Sequence, residues 1–145
     1  MDKDCVFCKI ISGEIKQSKI YEDERTVAFL DIYPASSKGG HTLVIPKKHY
    51  EIVTEMSDED AKAVMLTIKK LSKALMKIGE GMNIIQNNKK VAGQFVNHVH
   101  FHLVPRFDKD GVIISEKWAK NSYKDNEMEE VAKKIVGEYT YNGNY

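Results

Sequence analysis

Three histidines stand at every second position in one stretch of this chain, Asn97-His98-Val99-His100-Phe101-His102-Leu103-Val104. A two-residue period is the mark of an extended strand, in which alternate side chains project to the same face. Read as a strand over residues 96–104, the segment aims His98, His100 and His102 together and turns Val99, Phe101 and Leu103 toward a core. A helix would instead rotate each histidine by about 200° from the one before. A strand with one apolar face needs a sheet to sit in and a second layer to cover it.

The rest of the pattern supplies both. Gly13 ends a short helical turn, and Lys19-Ile20-Tyr21-Glu22 and residues 26–31 flank the charged turn Asp23-Glu24-Arg25 as a hairpin. The loop 33–40 holds Pro34 and Gly39-Gly40 and is expected to be irregular, while His41-Thr42-Leu43-Val44-Ile45-Pro46 reads as a buried third strand. Ser57 with Asp60 makes a helix start, followed by apolar residues at Ala61, Val64, Met65, Ile68, Leu71, Leu75 and Ile78 before Gly79 and Gly81. Met82-Asn83-Ile84-Ile85-Gln86 is a fourth strand. A last helix from about Glu127 is expected to bury Met128, Val131, Ala132, Ile135 and Tyr139. The predicted fold class is α+β: a mainly antiparallel five-stranded sheet with one long helix and a C-terminal helix. Residues 1–145 read as a single domain, with 108–145 a C-terminal extension.

A formal net charge of +1 argues against non-specific nucleic-acid binding, which draws on a clear basic excess. No apolar run approaches the ~18 to 20 residues that span a bilayer, so no membrane partner is expected. The polar start Met1-Asp2-Lys3-Asp4-Cys5 lacks the layout of a signal peptide. With only two cysteines, Cys5 and Cys8, there is no disulfide framework, and the expected location is the cytoplasm.

Imidazoles near their reference pKa of about 6.5 are mostly uncharged at neutral pH and serve as nucleophile, base or metal ligand. Three of the chain's five histidines fall in this one strand. From spacing alone, two uses compete: nucleophilic or acid–base chemistry by the rings themselves, or a catalytic zinc held by three of them.

His98-Val99-His100-Phe101-His102-Leu103-Val104 resembles the histidine-triad (HIT) motif, His-φ-His-φ-His-φ-φ with φ apolar. The likeness extends over about residues 4–107. It takes in Phe7 with Lys9-Ile10-Ile11, Gly13-Glu14-Ile15, residues 28–32, His41-Thr42-Leu43-Val44-Ile45-Pro46-Lys47-Lys48-His49 and Gly93-Gln94, and is nearest the bacterial Hint-like branch. What the resemblance implies is hydrolysis at the α-phosphorus of a nucleoside 5′-phosphate derivative, such as adenosine 5′-phosphoramidate, through a nucleotidyl-histidine. His100 would be the nucleophile, His102 would protonate the leaving group, and His41 would orient toward the nucleophile. Asn87, Gln94 and the backbone N–H groups near Phe95 and Val96 would meet the phosphate. Phe7, Ile10, Phe29 and Ile32 would wall a purine nucleoside slot, with Asp31 on the ribose hydroxyls. No organic cofactor is implied.

Cys5-Val6-Phe7-Cys8 has the C-x₂-C spacing of a zinc knuckle or a redox pair. By resemblance, His49 and His98 complete a Cys₂His₂ structural zinc site, which would take His98 out of the chemistry. Relatives of this kind also imply a homodimer joined through the long helix and the fourth strand. Three departures stand out: Phe95 replaces a polar residue, the loop before His41 is longer, and the segment with Trp118 has no clear counterpart. A Fhit-like dinucleoside polyphosphate hydrolase and a non-catalytic nucleotide-binding protein are the alternative readings.

Overall fold

The computed structural model describes residues 4–114 and 122–141, with the side chains of 139–141 left out of the description. The chain divides into two compact units, Met1–Val112 and Ile113–Tyr145. The first opens with a short helix, α1 (Val6–Ser12), which Gly13 closes in the left-handed region at φ 82°. Strands β1 (Lys19–Glu22), β2 (Thr26–Leu30) and β3 (Thr42–Pro46) follow, then helix α2 (Asp58–Leu75), β4 (Gly81–Gln86) and β5 (Phe101–Arg106). All neighbouring strands are antiparallel, in the order β1-β2-β3-β5-β4. The fold is thus the α+β arrangement that the pattern predicts.

Alternation along the strands divides the core in two. Ala28, Val44 and Leu103 point to one face and pack with Val64, Ile68 and Leu75 of α2. Val27, Phe29, Leu43 and Ile45 point to the other, where Phe7, Cys8 and Ile10 of α1 and Cys5 cover them. Ser57 caps α2 by accepting the N–H of Asp60, as its position before the apolar stripe suggests.

The structure shifts four sequence expectations. The buried face of α2 runs through Asp60, Val64, Thr67, Ile68 and Leu75, while Ala61 and Met65 are exposed. Asp60 enters that face because the Arg25 guanidinium (2.7 Å) and the Tyr50 hydroxyl (2.6 Å) satisfy its carboxylate, so burial leaves no charge unpaired. The helix also stops at Leu75, leaving Ile78 exposed beyond it.

The fifth strand begins at Phe101 rather than Val96. Ahead of it the backbone is diverted to other partners: His98 N–H donates to the Val96 carbonyl at 2.8 Å and Val99 N–H to the Tyr50 carbonyl at 2.8 Å. A group already satisfied there is lost to the ladder.

In the second unit, α3 (Glu127–Tyr141) forms where the period places it. Its apolar stripe is not buried: Met128, Val131, Ala132 and Ile135 are exposed. Within the described part of that unit, which is this one helix with its lead-in, no second layer packs on its apolar side. The Tyr139 side chain and Trp118 lie outside the described residues. No described helix is long and apolar enough to cross a membrane.

The shifted stripe has a direct test by chemical denaturation. Ile68→Ala should lower stability by about 2–4 kcal/mol, whereas Met65→Ala should stay within about 0.5 kcal/mol. A larger loss at Met65 would return the helix to the face that its sequence suggests.

Candidate active site

His102 lies opposite Leu43 of β3 and Ile85 of β4, so its ring emerges on the face covered by α1. His100 stands just before the strand and His98 two residues earlier, yet the alternation persists. The rings of His100 and His102 are 5.0 Å apart, and Phe7 meets His98 and His100 edge-on at 5.9 and 5.3 Å. His41 joins them from the end of the loop, where Gly39 and Gly40 take φ of 77° and 81° that other residues rarely adopt.

Hydrogen-bond partners then fix which nitrogen of each ring carries hydrogen. A carbonyl only accepts, so His100 donates from Nδ1 to the His98 carbonyl (2.6 Å) and keeps a lone pair on Nε2. His98 donates from Nε2 to the Pro46 carbonyl (2.9 Å), which turns its bare Nδ1 toward the cysteines. His41, expected to turn toward His100, faces His102. Its Nε2 sits 2.9 Å from Nδ1 of His102.

Burial disfavours the charged imidazolium and holds all four rings below the usual histidine value. His98 and His102 are pushed down to about 4. At His102, desolvation is reinforced by the neighbouring His100 and His41 and opposed by the Asp31 carboxylate. The result at neutral pH is a set of uncharged donors and lone pairs, which suits nucleophilic attack better than charge neutralisation.

The other candidate residues separate by burial. Phe7, Ile10 and Phe29 belong to the core beneath the site, with Phe29 only 1% exposed. Ile32 is exposed, and Asp31 is half-buried, with Oδ1 accepting the Tyr33 N–H at 2.8 Å and Oδ2 lying 3.8 Å from His41 Nε2. Gln94 is buried and braces its own loop. Its oxygen accepts the Lys89 N–H, and its nitrogen donates to the Glu51 carbonyl at 2.7 Å. That contact supports Lys89, a non-glycine residue held at φ 68°, a conformation that survives only where its surroundings over-determine it. Asn87 lies against the same turn, its amide 3.2 Å from the Ala92 carbonyl. Phe95 is 95% exposed and, with Val96, Asn97, Asp4, Cys5 and Val6, lines a cavity of about 310 Å³. Sequence reasoning missed the Tyr50 carbonyl, which accepts the Val99 N–H, and the Ala35 amide, which points at Nδ1 of His41. Both are backbone groups, which no residue type announces.

Cys5, Cys8, His49 and His98 converge as the sequence suggests, all four donor atoms within 4.8 Å of one another. Sulfur-to-nitrogen distances are 3.5 Å (Cys5–His98), 3.7 Å (Cys8–His98) and 3.4 Å (Cys8–His49). Tetrahedral zinc with ordinary Zn–S and Zn–N bonds would set its S and N ligands about 3.5 Å apart. The donor set and its spacing fit that ion. The His98 Nε2–H bond to Pro46 is the kind of outer contact that orients a ligating imidazole.

The chain matches the family model described as HIT domain over residues 12–109. It is 48% identical to an uncharacterised HIT-like protein of Methanocaldococcus jannaschii across 92% of this chain and 99% of that protein. It is also 46% identical to an adenosine 5′-monophosphoramidase of Schizosaccharomyces pombe across 70% of this chain and 74% of the other. Among solved structures, a HIT family member from Bacillus subtilis superposes with a TM-score of 0.86 at 39% identity, covering 94% of this chain and 98% of its own.

The depressed His102 carries a signature in stability. An unfolded histidine takes up its proton near 6.5, this one only near 4, so the unfolded chain binds more protons between those values. The contribution is complete above 6.5 and is lost as pH falls through about 4. Between pH 7 and pH 5 the native protein should lose about 1 kcal/mol more than His102→Gln, allowing for screening at a partly exposed ring. Denaturant titrations showing equal losses would contradict the assignment.

Proposed function

Because this chain belongs to the HIT domain family, we propose that it is a nucleotide hydrolase acting at the α-phosphorus of nucleoside 5′-phosphate derivatives, with His100 as the nucleophile. The observation that carries this reading is the 2.6 Å bond from His100 Nδ1 to the His98 carbonyl. It commits the ring's hydrogen to the backbone and leaves the Nε2 lone pair for attack, on a ring anchored just before a strand and so held at little entropic cost.

In the first step Nε2 forms a bond to the α-phosphorus, and the bond to the leaving atom breaks, its electron pair departing with that atom. His102, whose ring lies 5.0 Å from that of His100, supplies a hydrogen-bond donor beside the departing group. In the second step water attacks the nucleotidyl-histidine, releasing the nucleoside 5′-monophosphate and restoring the neutral imidazole. Splitting one displacement in two lowers each barrier. Backbone N–H groups near Phe95 and Val96, with Asn87 and Gln94 bracing that loop, suit the charge spread over the phosphoryl oxygens. Asp31 and Ile32 stand at the surface where a purine nucleoside would enter over the floor made by Phe7, Ile10 and Phe29. The phosphoramidase named among the relatives favours a P–N bond as the one broken.

Cys5, Cys8, His49 and His98 would hold a structural zinc. It would tie α1 to the segment that carries the nucleophile and take no part in the displacement. A homodimer is also part of this reading. Leu66 on the outer side of α2 and Ile84 on the sheet's edge strand are large, apolar and exposed, as a joint between two copies requires.

Two experiments test these assignments. Quenching turnover of a labelled adenosine 5′-phosphoramidate should yield an adduct that mass spectrometry locates on His100. His100→Ala should cut kcat by about 10⁴-fold or more, and diadenosine tetraphosphate should turn over more slowly. A wild-type rate in His100→Ala would end the reading. Native mass spectrometry should find twice the chain mass carrying one zinc per chain, and Cys8→Ser should lose the metal. A metal-free monomer would remove both proposals.

A further inference from the structure

Asp31, His41 and His102 form a second cluster of donors, also within 4.8 Å of one another. Two imidazoles and a carboxylate are a familiar ligand set for a divalent metal. The backbone argues otherwise here. The N–H of Ala35 points at Nδ1 of His41 from 3.2 Å. A backbone N–H only donates, so this Nδ1 is bare and the hydrogen of a neutral His41 sits on Nε2. Nε2 is the atom that faces both His102 Nδ1, at 2.9 Å, and Asp31 Oδ2, at 3.8 Å. A metal among the three would need that nitrogen stripped to an imidazolate. A hydrogen bond needs no such step.

We propose that the Ala35 amide, acting through His41, fixes His102 as the tautomer with hydrogen on Nε2, so that the third histidine of the triad offers the substrate a hydrogen-bond donor. The chain of donation is short and directional. Ala35 N–H donates to His41 Nδ1, His41 Nε2–H donates to His102 Nδ1, and the remaining hydrogen of His102 sits on Nε2. His41 and Ala35 are therefore positioning residues. Asp31 Oδ2, 3.8 Å from His41 Nε2, puts negative charge near the hydrogen end of that N–H and favours the same polarity. Burial keeps both rings neutral, as the arrangement requires.

The consequence is a division of labour between adjacent rings. His100 carries its hydrogen on Nδ1 and a lone pair on Nε2. His102 carries the reverse. One ring brings a lone pair to the phosphorus and the other an N–H to the departing atom. A neutral imidazole holds that hydrogen tightly, so His102 hydrogen-bonds the departing atom; the proton that atom takes up comes from hydronium in bulk solvent, and the water that attacks in the second step releases one in return. The electrophilic neutral histidine known from other enzymes works in this way.

This inference deepens the reading of the site as a hydrolase, but the tautomer belongs to the free protein and is read without substrate. In histidine labelled with ¹⁵N, two-bond ¹H–¹⁵N correlation spectra at neutral pH should show hydrogen on Nε2 of both His41 and His102. Hydrogen on Nδ1 of either ring overturns the proposal, whether or not the chain hydrolyses nucleotides. His41→Ala should release His102 into a mixture of tautomers and lower kcat by about tenfold or more with KM within about threefold. His41→Gln can place an amide nitrogen where Nε2 stood, and it should restore the single tautomer and most of kcat. A His41→Ala protein that keeps a pure Nε2–H His102 would also overturn it.

Discussion

His98 holds the site to the fold through several of its atoms at once. Its carbonyl accepts the hydrogen of His100, its Nε2–H donates to Pro46 on β3, and its Nδ1 faces the sulfurs of Cys5 and Cys8. A fully buried imidazole is costly unless its polar atoms are satisfied. Here the satisfaction is complete, as it is for every buried side-chain nitrogen and oxygen among the described residues. The same bonds that make burial tolerable also join the sheet, the N-terminal helix and His100. Rigidity at His100 is thus a by-product of hydrogen-bond completion one turn of chain away.

The antiparallel sheet puts the α2 core on one side and the histidine rings, with the α1 core beside them, on the other. Alternation sends Phe101 and Leu103 toward α2, where burial of apolar surface supplies the folding free energy. It sends His102 toward α1, onto a face where the core gives way to polar rings. Because register is fixed by the buried side, the histidine side inherits its geometry without paying for it separately. α1 completes the arrangement with Phe7, which packs on Phe29 beneath and touches His98 and His100 at its edge.

Much of this was legible in the sequence because periodicity reports burial. The five strands, the cap at Ser57 and the shared face of His98, His100 and His102 all follow from residue type and spacing. Where the pattern misled, a remote partner was responsible. Val99 leaves the ladder for the Tyr50 carbonyl, and Asp60 enters the core because Arg25 and Tyr50 meet it there. The resemblance implied that His41 would turn toward His100, yet its Nδ1 takes the Ala35 amide and its Nε2 faces His102. Backbone donors have no letter in the sequence, so a site built on them is visible only once the chain is folded. The apolar stripe of α3 shows the converse: a correct period does not say what will cover it.

The pairing of Gln86 with Phe101 pinches closed the whole excursion of residues 87–100 between two ladder strands. Insertions or replacements inside that excursion therefore cannot slide the sheet by a residue, because both of its ends are clamped by the same cross-strand pair. The mouth around Phe95 is in effect an exchangeable fitting on a fixed frame. The lip around Phe95 can be rebuilt while His98 and His100, next to the clamped end, keep the hydrogen bonds that hold them.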